Sequence, residues 1–158
     1  MNDRHAFVPG STWFFTLVTR NRRPAFADGP ALTRFKAAVT RVQRVRPFEV
    51  RAFVMLPDHL HMLWTLPPGD GDPSTRWREI RHESDDLREP VWQPHFESQP
   101  VRSQREYVRR FDYIHGNPIR HGLVRRLGEW PHSSFHRCVV DGVYPPDWCD
   151  VDFDMDLE

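Results

Sequence analysis

The chain has 158 residues, enough for one domain with a buried core, and its 22 basic and 22 acidic residues cancel formally. It holds no apolar run of about eighteen residues or more, which excludes a membrane-spanning helix. Its two cysteines, Cys138 and Cys149, form neither a disulfide framework nor a cysteine zinc site. Met1 to Gly10 lacks the basic-then-apolar order of a secretion signal, so a reducing, cytoplasmic setting is expected. Charge is distributed in blocks. Residues 1–51 carry ten Arg or Lys against three acids, and residues 101–140 carry eight against three. Residues 52–100 reverse this, four against nine, and residues 141–158 hold seven acids and no base. Such blocks fit either a solvated surface with an acidic tail or a polyanion-binding face.

Thr12 to Thr19 (TWFFTLVT) is aromatic and β-branched and predicts a strand. Arg20 to Asp28 is a basic, turn-rich loop. Pro30 suits a first helical position, and Ala31, Leu32, Phe35, Ala38, Val39, Val42 and Val45 follow at helical spacing up to Pro47. Phe48 to Leu56 and Leu60 to Leu66 predict two strands joined by a tight turn at Pro57-Asp58. A weak helix follows over Ser74 to Arg88, then a short strand within Val91 to Val101, interrupted by Pro94. Ser103 and Glu106 form a capping box, S-x-x-E, that starts a helix running to Gly116, with Pro118 expected to stop it. Residues from Arg120 onward are turn-rich. This order predicts an α+β fold with helices on one face of an antiparallel sheet. Residues 1–140 form the domain, and residues 141–158 a loose acidic tail that either solubilises the chain or folds over the basic groove.

His59-Leu60-His61 opens the third strand. Alternation puts both imidazoles on one face, with Leu60, Met62 and Trp64 on the other. Two such imidazoles can share a metal ion, although a lone H-x-H pattern more often marks surface or hydrogen-bonded histidines. On the Ser103–Gly116 helix the apolar stripe is Tyr107, Val108, Phe111 and Ile114. Tyr113 lies off it, beside Glu106, Arg109 and Arg110. It reads either as a presented hydroxyl or as a boundary tyrosine packing on a loop. Asn117 stands one turn beyond Tyr113, where its amide oxygen can complete a His-His-Asn metal site. A turn residue before Pro118 is the plainer reading, and His115 is a less favoured alternative ligand. Arg20, Arg22 and Arg23, with Trp13, Phe14 and Phe26 close in sequence, suit a basic channel with stacking surfaces. Arg109 and Arg110 suit phosphate contacts.

The segments FFTLVTRNRRPAF, FVMLPDHLHMLWTLPPGD, STRWREI, VWQPHF, DYIHGNPIRHGLV and WPHSSFHR resemble, in order, those of the REP-associated tyrosine transposases. These belong to the single-tyrosine HUH class (His-hydrophobic-His). The resemblance runs from Thr12 to Val139. It implies a ferredoxin-like sheet with His59 and His61 as metal ligands on a central strand. It further implies Tyr113 as nucleophile on a helix alongside and Asn117 as third ligand. The activity so implied is metal-dependent cleavage and rejoining of single-stranded DNA beside a hairpin-forming palindromic repeat, through a 5′-phosphotyrosine. Mixed His and oxygen ligation fits Mg²⁺ or Mn²⁺, and the related enzymes allow a monomer or a homodimer. Two departures stand out. RHESDDLREPV is short and acidic where family members carry a longer basic helix, and Gln93-Pro94-His95-Phe96 replaces a more basic stretch. They leave a second reading open, a domesticated hairpin binder without turnover. An RNA-binding domain of the RRM type ranks last, because its aromatic signature is missing.

Overall fold

The computed structural model describes residues 4, 7–27, 29–85 and 90–149. Strand β1 (Thr12–Val18) leads through a 3-10 turn (Arg20–Arg22) into helix α1 (Gly29–Val45). Strands β2 (Glu49–Met55) and β3 (His59–Thr65), helix α2 (Pro73–Ser84) and strand β4 (Glu97–Pro100) follow. Helix α3 (Gln104–Arg120) and the short helix α4 (Phe135–Val140) come last. All strand pairs are antiparallel, in the order β2-β3-β1-β4. The unit β1-α1-β2-β3-α2-β4 with this order is ferredoxin-like, so the expected α+β class is the one observed.

Helix placement differs from expectation. Phe15, Leu17, Leu60, Met62 and Trp64 pack under α1 and α2, whereas Phe14, Ala52, Val54 and Leu63 pack under α3 and α4. Only the helices of the ferredoxin-like unit share one face; α3 and α4 cover the other. The cause lies in β3, where every residue is buried. A strand with no polar-out face needs cover on both sides.

The first core is built on stacked aromatics. Trp64 lies with ring centroids 4.5 Å from Trp77, 4.1 Å from Phe48 and 4.6 Å from Phe15. Emptying that position removes a large buried ring that its neighbours cannot replace. Trp64→Ala is expected to lower stability by about 3–5 kcal/mol, read as a fall in the urea midpoint. A loss below about 1 kcal/mol would mean the stack contributes far less than its burial implies.

Half of the expected capping box forms: the Glu106 N–H donates to Ser103 Oγ at 3.1 Å, while the Glu106 carboxylate accepts at 3.0 Å from the N–H of Arg102, one residue before the cap, in place of the Ser103 N–H. Pro118, however, does not stop α3, which continues to Arg120. Proline lacks the N–H that would bond the Ile114 carbonyl. Gly116, Asn117 and Pro118 are all buried, and packing on the sheet holds the turn despite that lost bond. The helix closes with His121 N–H to Asn117 O at 3.0 Å and Leu123 N–H to Pro118 O at 2.9 Å.

Residues 141–149, expected to belong to a loose tail, pack on the core. Tyr144 is buried and stacks on Trp148 at 4.1 Å and on Phe135 at 5.6 Å. The core therefore extends past residue 140, while residues 150–158, most of the acidic tail, lie outside the described residues. The Tyr144 hydroxyl donates to Asp112 at 2.6 Å, so it accepts from His115 Nδ1 at 3.1 Å. That fixes a neutral ring whose Nε2 accepts from Ser134 Oγ at 2.7 Å. Burial pushes the His115 pKa down to about 3. The unfolded chain takes up this proton near pH 6.5 and the folded one near 3, so stability falls as pH drops through that window. Urea unfolding at pH 7 and pH 5 is expected to show the loss, and His115→Gln to reduce it. An unchanged slope in the variant would assign the loss to other groups.

Candidate active site

Strand register assembles one row across the sheet. Thr16 of β1 pairs with His61 of β3 and with Glu97 of β4, while Val54 of β2 pairs with His61. One step along, Val18 pairs with His59. His59 and His61 therefore face α3, with ring centroids 5.2 Å apart.

Each imidazole is oriented through Nδ1. His59 Nδ1 donates to Asp58 Oδ1 at 2.7 Å, and Arg22 lies 3.6 Å from the other Asp58 oxygen. Burial alone would raise the Asp58 pKa. The His59 hydrogen bond and charge, with Arg22, outweigh it and hold the carboxyl below its ordinary value. Arg22 reaches that position because Asn21 and Arg22 take left-handed φ of 55° and 52°, a conformation uncommon outside glycine. His61 is fully buried, with Nδ1 2.9 Å from Thr16 Oγ1 and its ring stacked 5.6 Å from Phe14. Burial first, and then the neighbouring charges of His59, His121, Arg110 and Arg120, push its pKa well below 6.5. The ring is neutral at neutral pH, the form that binds metals.

Tyr113 meets this pair from above. Its ring lies 5.3 Å from His61 and 6.3 Å from Phe14, and the Arg120 guanidinium sits 5.2 Å from its centroid. It is 4% exposed, which corrects the expectation of a polar, presented face. Arg110, Tyr113 and Asn117 recur at helical spacing as a second buried face of α3, and the sheet it covers there is polar. Asn117 stays in helical register because α3 runs through Pro118. Its Nδ2 donates to the Tyr113 carbonyl at 3.0 Å, which turns Oδ1 away from that carbonyl. Asn117 Oδ1 is buried and has no hydrogen-bond partner among the described residues.

The arginines divide. Arg22 reaches the histidine pair through Asp58, Arg20 and Arg109 are exposed, and Arg23 donates to the Pro90 carbonyl at 3.2 Å. Arg110 is buried, with its guanidinium 4.1 Å from the Phe14 centroid and a hydrogen bond to Gln99. Desolvation lowers its pKa. It forms a wall of the site more than an open phosphate contact. His115, the alternative ligand, has both ring nitrogens engaged by Tyr144 and Ser134, away from the pair.

Sequence reasoning missed Thr16, Asp58, Arg120 and His121, whose ring lies 4.9 Å from His59. The signals were present: Thr16 falls on the correct parity of β1, and Arg120 and His121 stand two turns beyond Tyr113. Two hollows, of about 340 Å³ and 410 Å³, flank the pair and share Arg22, His59 and His121.

Among the described residues no three His, Cys, Asp or Glu side chains cluster as a metal site. The fit of a metal rests instead on two imidazoles and an amide oxygen. A neutral His61, a His59 backed by a carboxylate, and the orphaned Asn117 oxygen all suit a divalent ion. Asp58→Asn is expected to weaken Mn²⁺ binding about 10–100-fold, measured by calorimetry. Unchanged affinity would remove Asp58 from the site.

A ferredoxin-like sheet that sets a His-hydrophobic-His pair against a helical tyrosine is the architecture of the single-tyrosine HUH class. No family model matches the chain. It is 43% identical over 147 residues to the REP-associated tyrosine transposase of Escherichia coli (strain K12), covering 92% of this chain and 88% of that one. A "Putative REP-associated tyrosine transposase" of Haemophilus influenzae is 32% identical over 163 residues, covering 93% of this chain and 92% of that one. A solved structure of a REP-associated tyrosine transposase bound to a REP hairpin matches with a TM-score of 0.83 and 42% identity, over 91% of this chain and 88% of that one. The chain belongs to the REP-associated tyrosine transposases.

Proposed function

We propose that the chain cleaves single-stranded DNA beside a hairpin-forming palindromic repeat, through Tyr113, and can rejoin the strands. The observation that carries this is the Tyr113 ring 5.3 Å from His61 within one chain. A nucleophile and a candidate metal pair in one protomer make a monomer sufficient. Tyr113 Oη forms a bond to phosphorus, the P–O3′ bond breaks, and the proton leaving the phenol ends on the departing 3′ oxygen. The diester energy is kept in the phosphotyrosine, so another 3′ hydroxyl can reverse the step. His59, His61 and Asn117 would hold a divalent ion, Mg²⁺ or Mn²⁺, which would supply Lewis acidity at the scissile phosphate. Asp58 and Thr16 orient the imidazoles, Arg120 steadies the tyrosine ring, and Arg20, Arg22, Arg23 and Arg109 supply positive charge for the strand. The cell compartment that suits this chemistry is the cytoplasm.

A second reading, a hairpin binder without turnover, is favoured by one observation: the carboxylate of Glu97 lines the cleft beside His59. The assay that separates the two uses hairpin oligonucleotides with single-stranded flanks, labelled at either end, with Mn²⁺, Mg²⁺ or EDTA. Denaturing gels are expected to show a metal-dependent protein–DNA adduct that carries the 3′ label. Tight hairpin binding with no adduct under either metal would move the function to the binder.

A further inference from the structure

The smaller hollow beside His59 contains a side chain that the phosphate chemistry does not use. Glu97 lies in the same sheet row as Thr16 and His61, so its side chain rises on the face that carries the histidine pair. Together with Gln93 and Phe96 it lines the 340 Å³ cleft that ends at Arg22 and His59. A carboxylate facing a polyanion is repulsive unless it meets a hydrogen-bond donor. An uncut DNA strand offers donors only on its bases. Phe96 closes the rim of the cleft, while its ring is turned to the opposite face of the sheet, 5.7 Å from the Arg81 guanidinium and 6.0 Å from Trp77. A carboxylate and an amide in a cleft of nucleotide size are groups with which proteins read the edge of an unstacked base. Gln93 comes from the stretch Gln93 to Phe96, where this chain departs from the more basic sequence its family resemblance implies, and Glu97 follows that stretch directly.

Resting on the proposed function, we infer that Glu97 and Gln93 read one base of the single strand next to the scissile phosphate. The base selected is one whose Watson–Crick edge donates. Guanine fits best, because its N1–H and its 2-amino group are adjacent donors that match the two carboxylate oxygens. Cytosine and adenine each offer one amino group. Thymine places its single N–H between two carbonyl oxygens and is rejected.

The test is single-turnover adduct formation on hairpin oligonucleotides whose flanking positions are randomised one at a time, with products sequenced. Wild type is expected to prefer guanine over thymine at one flanking position by about 10–100-fold. Glu97→Gln exchanges the carboxylate for an amide of the same shape. It is expected to flatten that preference to within about threefold and move it toward adenine, the base a glutamine amide pairs best. Gln93→Ala is expected to relax the same position, with affinity for the bare hairpin unchanged. An identical base profile in wild type and Glu97→Gln, or a wild type indifferent at every flanking position, would overturn the inference. Should wild type form no adduct at all, the proposed catalysis fails, and the cleft is tested by equilibrium binding. Adding a guanine-containing flank to the hairpin must then tighten binding in wild type and not in Glu97→Gln; equal gains in both would overturn it.

Discussion

Tyr113→Phe is expected to form no covalent adduct with hairpin DNA, a fall of at least about a thousandfold in adduct rate, while binding the hairpin within about twofold of wild type. The substitution removes one oxygen and nothing else. The ring that packs against Phe14 and His61 under Arg120 is retained, so the second core and the helix register survive. Tyr113→Ala would be a poor substitute, because at 4% exposure the missing ring leaves a cavity that can shift α3. The measurement is the gel assay in parallel with a binding titration. An adduct of wild-type yield in Tyr113→Phe would transfer the nucleophile to another residue. Equal loss of binding and adduct would show that the hydroxyl serves recognition.

Asn117→Leu is expected to separate metal binding from folding. In the metal-free protein the buried Asn117 oxygen has no partner among the described residues, which costs about 1–3 kcal/mol relative to a satisfied group. Leucine has a similar volume and removes that penalty, at the loss of the Nδ2 bond to the Tyr113 carbonyl. The metal-free variant is therefore expected to lie within about 1–2 kcal/mol of wild type. Saturating Mn²⁺ should divide the two. At a hundredfold excess over Kd it stabilises wild type by about 2.7 kcal/mol, which raises Tm by about 5–10 °C for a chain of this size. Asn117→Leu should rise by less than about 1 °C at the same concentration, its ligand having gone. The readout is thermal melting and needs no activity. An equal rise in both proteins would remove Asn117 from the ligand set, and His61→Ala would then show whether the imidazoles bind the ion without it.

Much of this arrangement is legible in the residues. Alternation in His59-Leu60-His61 fixes the face of both imidazoles, and the S-x-x-E box at Ser103 fixes where α3 begins. Strands β1 to β3 follow from their aromatic and β-branched runs, whereas β4 (ESQP) has no such run and is legible only as a short strand somewhere within Val91 to Val101. What local pattern could not supply was tertiary. Tyr113 reads as polar-faced because its helical neighbours are Arg109 and Arg110. The sheet beneath is itself polar, so that face is buried all the same. Pro118 reads as a stop because one lost hydrogen bond usually decides. Here burial of Gly116 to Pro118 outweighs it. Tyr144 sits among acids in sequence and reads as tail, yet Asp112 and His115 give its hydroxyl two partners inside the core. Arg120 and His121 lie beyond the stop that Pro118 signals locally, so no helical pattern points to them.

The pairing of β1 sets an order for synthesis. β1 bonds to β3 and to β4, and β4 ends only at Pro100. The first strand made thus waits on the ribosome for its last partner, and contacts so distant in sequence form late. Helix α3, which carries Tyr113 and Asn117, emerges after β4 and docks on a sheet already holding its histidines. A nascent or truncated chain that stops before residue 103 has the imidazole pair and no tyrosine to use it. It also leaves Phe14, Val54 and Leu63 uncovered, the kind of surface that chaperones and proteases act on. On the proposed function, a chain able to cut DNA would exist only once translation has passed the helix that completes the fold.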